Sequence, residues 1–250
     1  MYNEIRKERK EKLGLDTLRP WDLSVDASGR QPLTPFQNAD ELEEKCHNIF
    51  KAVDPELGEH FDVMRDNKLL DLANRKGKAP GGYCTEYYYQ RLPFIFMNAV
   101  GTHSDVQTML HEGGHAFHVF ESDELPYSAQ REVGMEFAEV ASMAMELLAA
   151  PYITKDFGGF YDIEDANRAR IEHLEKSVMF WPYMAVVDAF QHWAYTNPEA
   201  AIAPDHCHWT LHNSFDIIFR HRKVNHANRT LFFNQKIKSN VYTFLVPKIT

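Results

Sequence analysis

Apolar residues recur at helical spacing along most of this chain, and one short stretch departs from that period. Leu42, Cys46, Ile49, Phe50 and Val53 follow at intervals of one, three or four residues, which predicts a helix from about Asn38 to Val53, with a second from Pro55 to about Asn67. From about Ser104 onward the pattern is again helical. It predicts one long helix near 129–150, with Val133, Phe137, Val140, Ala144 and Leu148 on its apolar face, and another from about Ile163 to Tyr195 that Pro182 can bend. The departure lies around Gln90-Arg91, where YCTEYYY and PFIFMN are rich in β-type residues and predict an antiparallel hairpin over 83–98, with Pro93 tolerated at the start of its second strand. Residues 2–13 read as the end of a charged helix stopped by Gly14, and residues 15–36, broken by Pro20, Gly29, Pro32 and Pro35, as an irregular connector. The expectation is a mainly α, single domain over 1–250 carrying one small antiparallel hairpin or sheet.

Composition narrows the function classes. Hydrophobic residues are 44% and charged residues 25% of the 250, an ordinary balance for a soluble globular chain. A formal charge of -9 disfavours a nucleic-acid partner, which calls for a basic face. The three cysteines, Cys46, Cys84 and Cys207, are far apart and form no CxxC, so neither a disulfide framework nor a cysteine zinc site is expected. The charged N-terminus lacks a signal-peptide core, and no stretch approaches the ~20 apolar residues of a membrane span. A cytoplasmic location without membrane insertion follows as the expectation.

The chemistry is concentrated at His111-Glu112-Gly113-Gly114-His115, an HExxH on a predicted helix. Positions i and i+4 share a face about 5–6 Å apart, so both imidazoles can reach one zinc ion while Glu112 is left to act as base on a water. Gly113 and Gly114 each cost about 1 kcal/mol relative to alanine inside a helix, so they point to something approaching closely, either another helix or substrate. A third protein ligand is required, and the 129–150 helix offers Glu132, Glu136, Glu139 and Glu146 on one stripe, the alternative being a solvated acidic face. His118 shares the face but lies ~10 Å along the axis from His111, too far for one ion to be reached by all three, and is expected to pack behind the site. Asp105, Ser142 and Glu146 are candidates for orienting the ligands. His206, His208 and His212 form a weaker cluster with no carboxylate between them. Asp188, Gln191, His192 and Tyr195 make a polar stripe on an aromatic helix, read either as support for the metal or as an internal network.

The runs GKAPGGY, PFIFMNAVGT, DVQTMLHEGGHAFH and EFAEVASMAMELL together resemble the catalytic region of the oligoendopeptidase F and thimet oligopeptidase family of zinc metallopeptidases, over roughly residues 5 to 195. The resemblance implies a zincin-like, mostly helical fold with a deep channel, one Zn2+ per chain and cleavage of short peptides. It selects Glu139, which follows Phe137-Ala138, as the third ligand; spacing left the four glutamates open. Tyr83 and Phe94 of the predicted hairpin, with Asp188, His192 and Tyr195 of the polar stripe, are the candidates for contact with substrate. The likeness fades after about Phe215. All 12 glycines lie at or before Gly159, so the Gly/Tyr-rich segment that supplies transition-state donors in the family has no counterpart on which to place them. The expectations are an open cleft lacking the N-terminal lobe, surface available for self-association, and either an endopeptidase or a zinc-binding domain impaired in catalysis.

Overall fold

The computed structural model describes residues 1–203 and 205–207. Helix α1 (Tyr2–Lys12) ends where Gly14 adopts a φ of +65°, and the connector that follows contains a short 3-10 helix, Pro20–Leu23. Asn38 then starts α2 (Ala39–Val53) by accepting the Glu41 N–H, and Asp54 starts α3 (Pro55–Asp66) by accepting the Glu56 N–H. The apolar stripe predicted for α2 is buried: Leu42, Cys46, Ile49 and Phe50 are fully withdrawn from water. Phe50 packs its ring 5.1 Å from Phe61 of α3 and edge-on, at 4.8 Å, to Phe117. Burial of side chains this size contributes about 1.5–3 kcal/mol each.

Three strands follow: β1 (Leu70–Ala73), β2 (Tyr83–Tyr87) and β3 (Leu92–Ala99), in the spatial order β1-β3-β2. The predicted hairpin is present, antiparallel, with Tyr83 opposite Phe96 and Tyr87 opposite Leu92. Pro93 sits in the central strand at a position that β1, whose pairing begins at Leu70–Ile95, does not reach, so its missing N–H breaks no ladder on that side. Strand β1 itself was not expected, since LDLA has no β-branched residue; it is a strand because Lys68 turns the chain at a φ of +56° and lays it parallel to β3. Lys78, with its side chain 1% exposed, ties the sheet together by donating to the Asp71 carboxylate and to the Asp71, Ala73 and Met97 carbonyls.

Thr102 and Asp105 cap α4 (His103–Ser122), the helix that carries HExxH. The single helix expected at 129–150 is two: α5 (Ser128–Arg131) and α6 (Met135–Ala149), separated by an extended Glu132 and started again at Gly134, whose carbonyl accepts from Phe137 and Ala138. The expected inward face of α6 is also reversed. Phe137, Val140 and Leu148 are exposed, while Ser142, Met145 and Ala149 are buried against α4. Helical period identifies which residues share a face, and here the face of Ser142, Met145 and Ala149 is inward, flanked by Glu139 and Glu146, whose carboxylates find imidazoles on α4, while Glu136 stays exposed.

Helix α7 (Ile163–Thr196) contains Pro182, and α8 (Pro198–Ala201) follows it. Among the described residues there are two compact units, residues 9–172 and residues 1–8 with 173–203 and 205–207. The first holds the sheet, α2 to α6 and the core around Phe50; in the second, Val186 and Trp193 are buried and Phe190 lies 5.9 Å from Trp193. No helix among the described residues is long and apolar enough to cross a membrane.

Candidate metal centre

Helix α4 presents His111 and His115 with ring centroids 5.0 Å apart and planes at 85°. It lies against α6 because Gly114 has no side chain: a methyl group there would stand 2.6 Å from Ser142 Cα and 2.7 Å from the Ala141 carbonyl oxygen. That contact brings Glu139 to the two rings. Its carboxylate lies 3.2 Å from His111 Nε2 and 3.8 Å from His115 Nε2, and the three potential ligand atoms all fall within 4.8 Å of one another. Gly113, on the adjoining face, serves the core by making room for Phe50, whose Cζ would be 2.5 Å from an added methyl group.

Two of the three candidate ligands have a partner that fixes them. His111 Nδ1 is 2.7 Å from Glu146 Oε1, one helical heptad beyond Glu139 on α6. This hydrogen bond raises the His111 pKa and leaves Nε2 directed at Glu139. Ser142 Oγ donates to a Glu139 carboxylate oxygen at 3.1 Å. His115 has its pKa lowered, chiefly by burial and then by neighbouring His111, which favours the neutral imidazole with a free lone pair. Two imidazole nitrogens and one carboxylate oxygen match the protein donor set of a catalytic zinc site.

Glu112 is outside this ligand group and buried, 7% exposed. Burial raises its carboxyl pKa, and the Cys84 backbone N–H on β2 donates to it. The Cys84 thiol beside it is pushed up to about 12, by burial first and by the Glu112 charge second. These groups face a cavity of about 600 Å³ that Tyr83, Glu86, His118, Val119 and Arg131 also line.

Other expected residues are placed differently. Asp105 accepts from Val100 N, Thr102 N and Thr102 Oγ1, so its carboxylate caps α4 and stands behind neither ring. Phe94 packs at the edge of the core and 5.7 Å from Tyr87, away from the cavity wall. Glu132 is off the stripe because α6 begins after it. Asp188, Gln191, His192 and Tyr195 are all exposed on the distal half of α7, in the second unit, so the buried network expected of them is not formed. Of the weaker histidine cluster, His208 and His212 lie outside the described residues. A different grouping, Glu56, His60 and Glu121, has suitable spacing but two exposed carboxylates and no acid behind its ring. Sequence reasoning missed the Cys84 N–H, which is main chain and leaves no trace in residue type, and Arg131, which no motif marks.

A pair of imidazoles four residues apart on one helix, a glutamate from a second helix and a buried carboxylate next to the first imidazole match the pattern of metal-dependent hydrolases. The family model for peptidase family M3 matches residues 1–242. The oligoendopeptidase F homolog of Mycoplasma pneumoniae is 26% identical over 189 residues, covering 71% of this chain and 27% of that protein. Oligopeptidase PepF of Bacillus subtilis is 26% identical over 149 residues, 58% of this chain and 21% of PepF. Among solved structures, an oligoendopeptidase F from Bacillus anthracis superposes with a TM-score of 0.76 at 34% identity, over 88% of this chain and 39% of the other. PZ peptidase A, solved with an inhibitor, gives 0.72 at 33% identity, over 87% and 36%. The chain belongs to peptidase family M3 and spans about a quarter of the length of the curated relatives it matches.

Proposed function

We propose that this chain hydrolyses short peptides as a zinc-dependent endopeptidase, with one zinc held by His111, His115 and Glu139 and with Glu112 as general base. The observation that carries the reading is the convergence of both Nε2 atoms on Glu139 while Glu112 stands apart, buried against β2. When bound, zinc supplies Lewis-acid polarisation of a carbonyl and acidifies a water. The chain's own residues do the rest. Glu112, its basicity raised by burial and its carboxylate held by the Cys84 N–H, takes the water's proton and passes it to the departing amine nitrogen. Glu146 fixes the His111 tautomer by accepting its Nδ1–H, and Ser142 steadies Glu139.

Strand β2 pairs only with β3 among the described residues, and its outer edge faces Glu112 through the Cys84 N–H. By the two-residue alternation of a strand, the Glu86 N–H lies on that same edge. An extended peptide added there would be held mainly by backbone hydrogen bonds, which gives broad tolerance of side chains.

Zinc content and cleavage of a quenched fluorescent peptide, measured on one preparation, test the proposal. Zinc at one ion per chain with cleavage supports it. Zinc without cleavage favours the second reading, a metal-binding region impaired in catalysis, which the chain's coverage of only 27% of a relative keeps in view. His115→Ala is expected to remove most of the metal; stoichiometric zinc in that variant would show that the site is elsewhere. Glu146→Gln is expected to weaken zinc affinity by about 10–100-fold, in competition with a chromophoric chelator, because the carboxylate behind His111 sets its orientation and basicity. Unchanged affinity would make the 2.7 Å contact incidental.

A further inference from the structure

Arg131 ends the short helix α5 and reaches the wall of the cavity that holds His111, His115 and Glu112. Its guanidinium carbon lies 5.6 Å from the centre of the Tyr88 ring, in the turn between β2 and β3. Its Nη1 is shut off from water and has no hydrogen-bond partner, and its guanidinium forms no ion pair with a described carboxylate. Among the other arginines of this unit, Arg30, Arg65, Arg75, Arg91 and Arg168 each hold a carboxylate, Arg9 and Arg170 hold main-chain carbonyls, and Arg19 lies over the Trp21 ring. A buried guanidinium donor left unpaired is destabilising unless something else satisfies it.

We propose that Arg131 is a carboxylate-binding subsite of the cavity, selecting peptides that place a negative group beside it. The inference rests on the peptidase reading and adds a substrate class to it. Arg131 is the only lysine or arginine among the described residues lining the cavity, whereas Glu86, Glu112 and Glu139 also line it. An anionic group on a peptide is therefore repelled by the carboxylates of the wall and attracted, apart from any metal held by His111, His115 and Glu139, by Arg131. A planar guanidinium can give a carboxylate two parallel hydrogen bonds, which a lysine cannot reproduce. Two sources offer this chemistry, the C-terminal carboxylate of a short peptide and an aspartate or glutamate side chain within it.

The test measures binding, so that it does not depend on turnover. The zinc-loaded Glu112→Gln chain is titrated into labelled pentapeptides of one neutral sequence, read by fluorescence anisotropy. One has a free C-terminus, one a C-terminal amide, and a further set is amidated with a single glutamate moved along the sequence. A carboxylate in the right place is expected to tighten binding about 10-fold or more over the neutral amide. The free-acid arm or the glutamate series identifies the source. Combining Arg131→Gln with Glu112→Gln should bring that ratio close to one, and Arg131→Lys should restore part of it while thermal midpoints stay together. Equal binding of all peptides, a ratio that survives Arg131→Gln, or binding of none overturns the subsite. Hydrolysis of the neutral amide by the parent chain decides the peptidase reading separately.

Discussion

Glu112→Gln should keep one zinc per chain and lose at least about 100-fold in peptide hydrolysis. The two halves of that expectation have different physical origins. Retention follows because Glu112 is not among the three groups whose ligand atoms lie within 4.8 Å of one another, and because glutamine can still accept the Cys84 N–H in the same buried position. The loss follows because an amide cannot take a proton, and positioned general acid-base groups are worth about 100- to 10,000-fold. Burial makes the parent carboxylate the better base by raising its pKa above the ordinary glutamate value. A side chain that merely braced β2 against α4 would show the opposite pattern, with little change in rate and a fall in stability. Zinc by mass spectrometry and kcat/KM for one peptide, taken on the same two preparations, separate the cases. Hydrolysis within a few-fold of the parent would remove Glu112 from the chemistry.

What could be read from the sequence divides along physical lines. The helix carrying HExxH was legible because the chemistry requires a spacing, and the spacing of His111 and His115 survives in any helix. Gly113 and Gly114 were legible as close-approach positions because glycine is costly there, and the structure shows what approaches: Phe50 at one and the α6 backbone at the other. The hairpin was legible from its β-type residues, whereas β1 is a strand only through its neighbour β3. Helix α6 was legible as a set of faces without an indication of which face turns inward. Hydropathy favours Phe137 and Val140, but the carboxylates of Glu139 and Glu146 are satisfied by imidazoles on α4, and that tertiary pairing reverses the choice. Selecting Glu139 among the glutamates needed the family resemblance; the geometry now gives the two acids different parts, Glu139 facing both rings and Glu146 facing the far side of one. Asp105 has the composition of a supporting acid and the position of a helix cap, and position decided.

Gly114→Ala should destabilise this unit by about 1–3 kcal/mol and weaken zinc binding with it. Intrinsic propensity argues the other way, since alanine in place of glycine inside a helix gains up to about 1 kcal/mol. The added methyl group, however, would stand 2.6 Å from Ser142 Cα, 2.7 Å from the Ala141 carbonyl oxygen and 2.9 Å from Met145 Cβ. The two nearest of these are backbone atoms, so no rotamer change relieves the overlap; α4 and α6 must move apart. Separation also withdraws Glu139 from both imidazoles and Glu146 from His111, because both acids ride on α6. Gly113→Ala provides the comparison. Its methyl group meets the ring of Phe50, a side chain that can shift within the core, and α6 is not displaced, so a fall in stability is expected without a matching fall in metal affinity. Urea unfolding of the metal-free proteins reports the first quantity and chelator competition the second. If Gly114→Ala is as stable as the parent, or loses stability while holding zinc unchanged, the close contact between these helices is not what assembles the site.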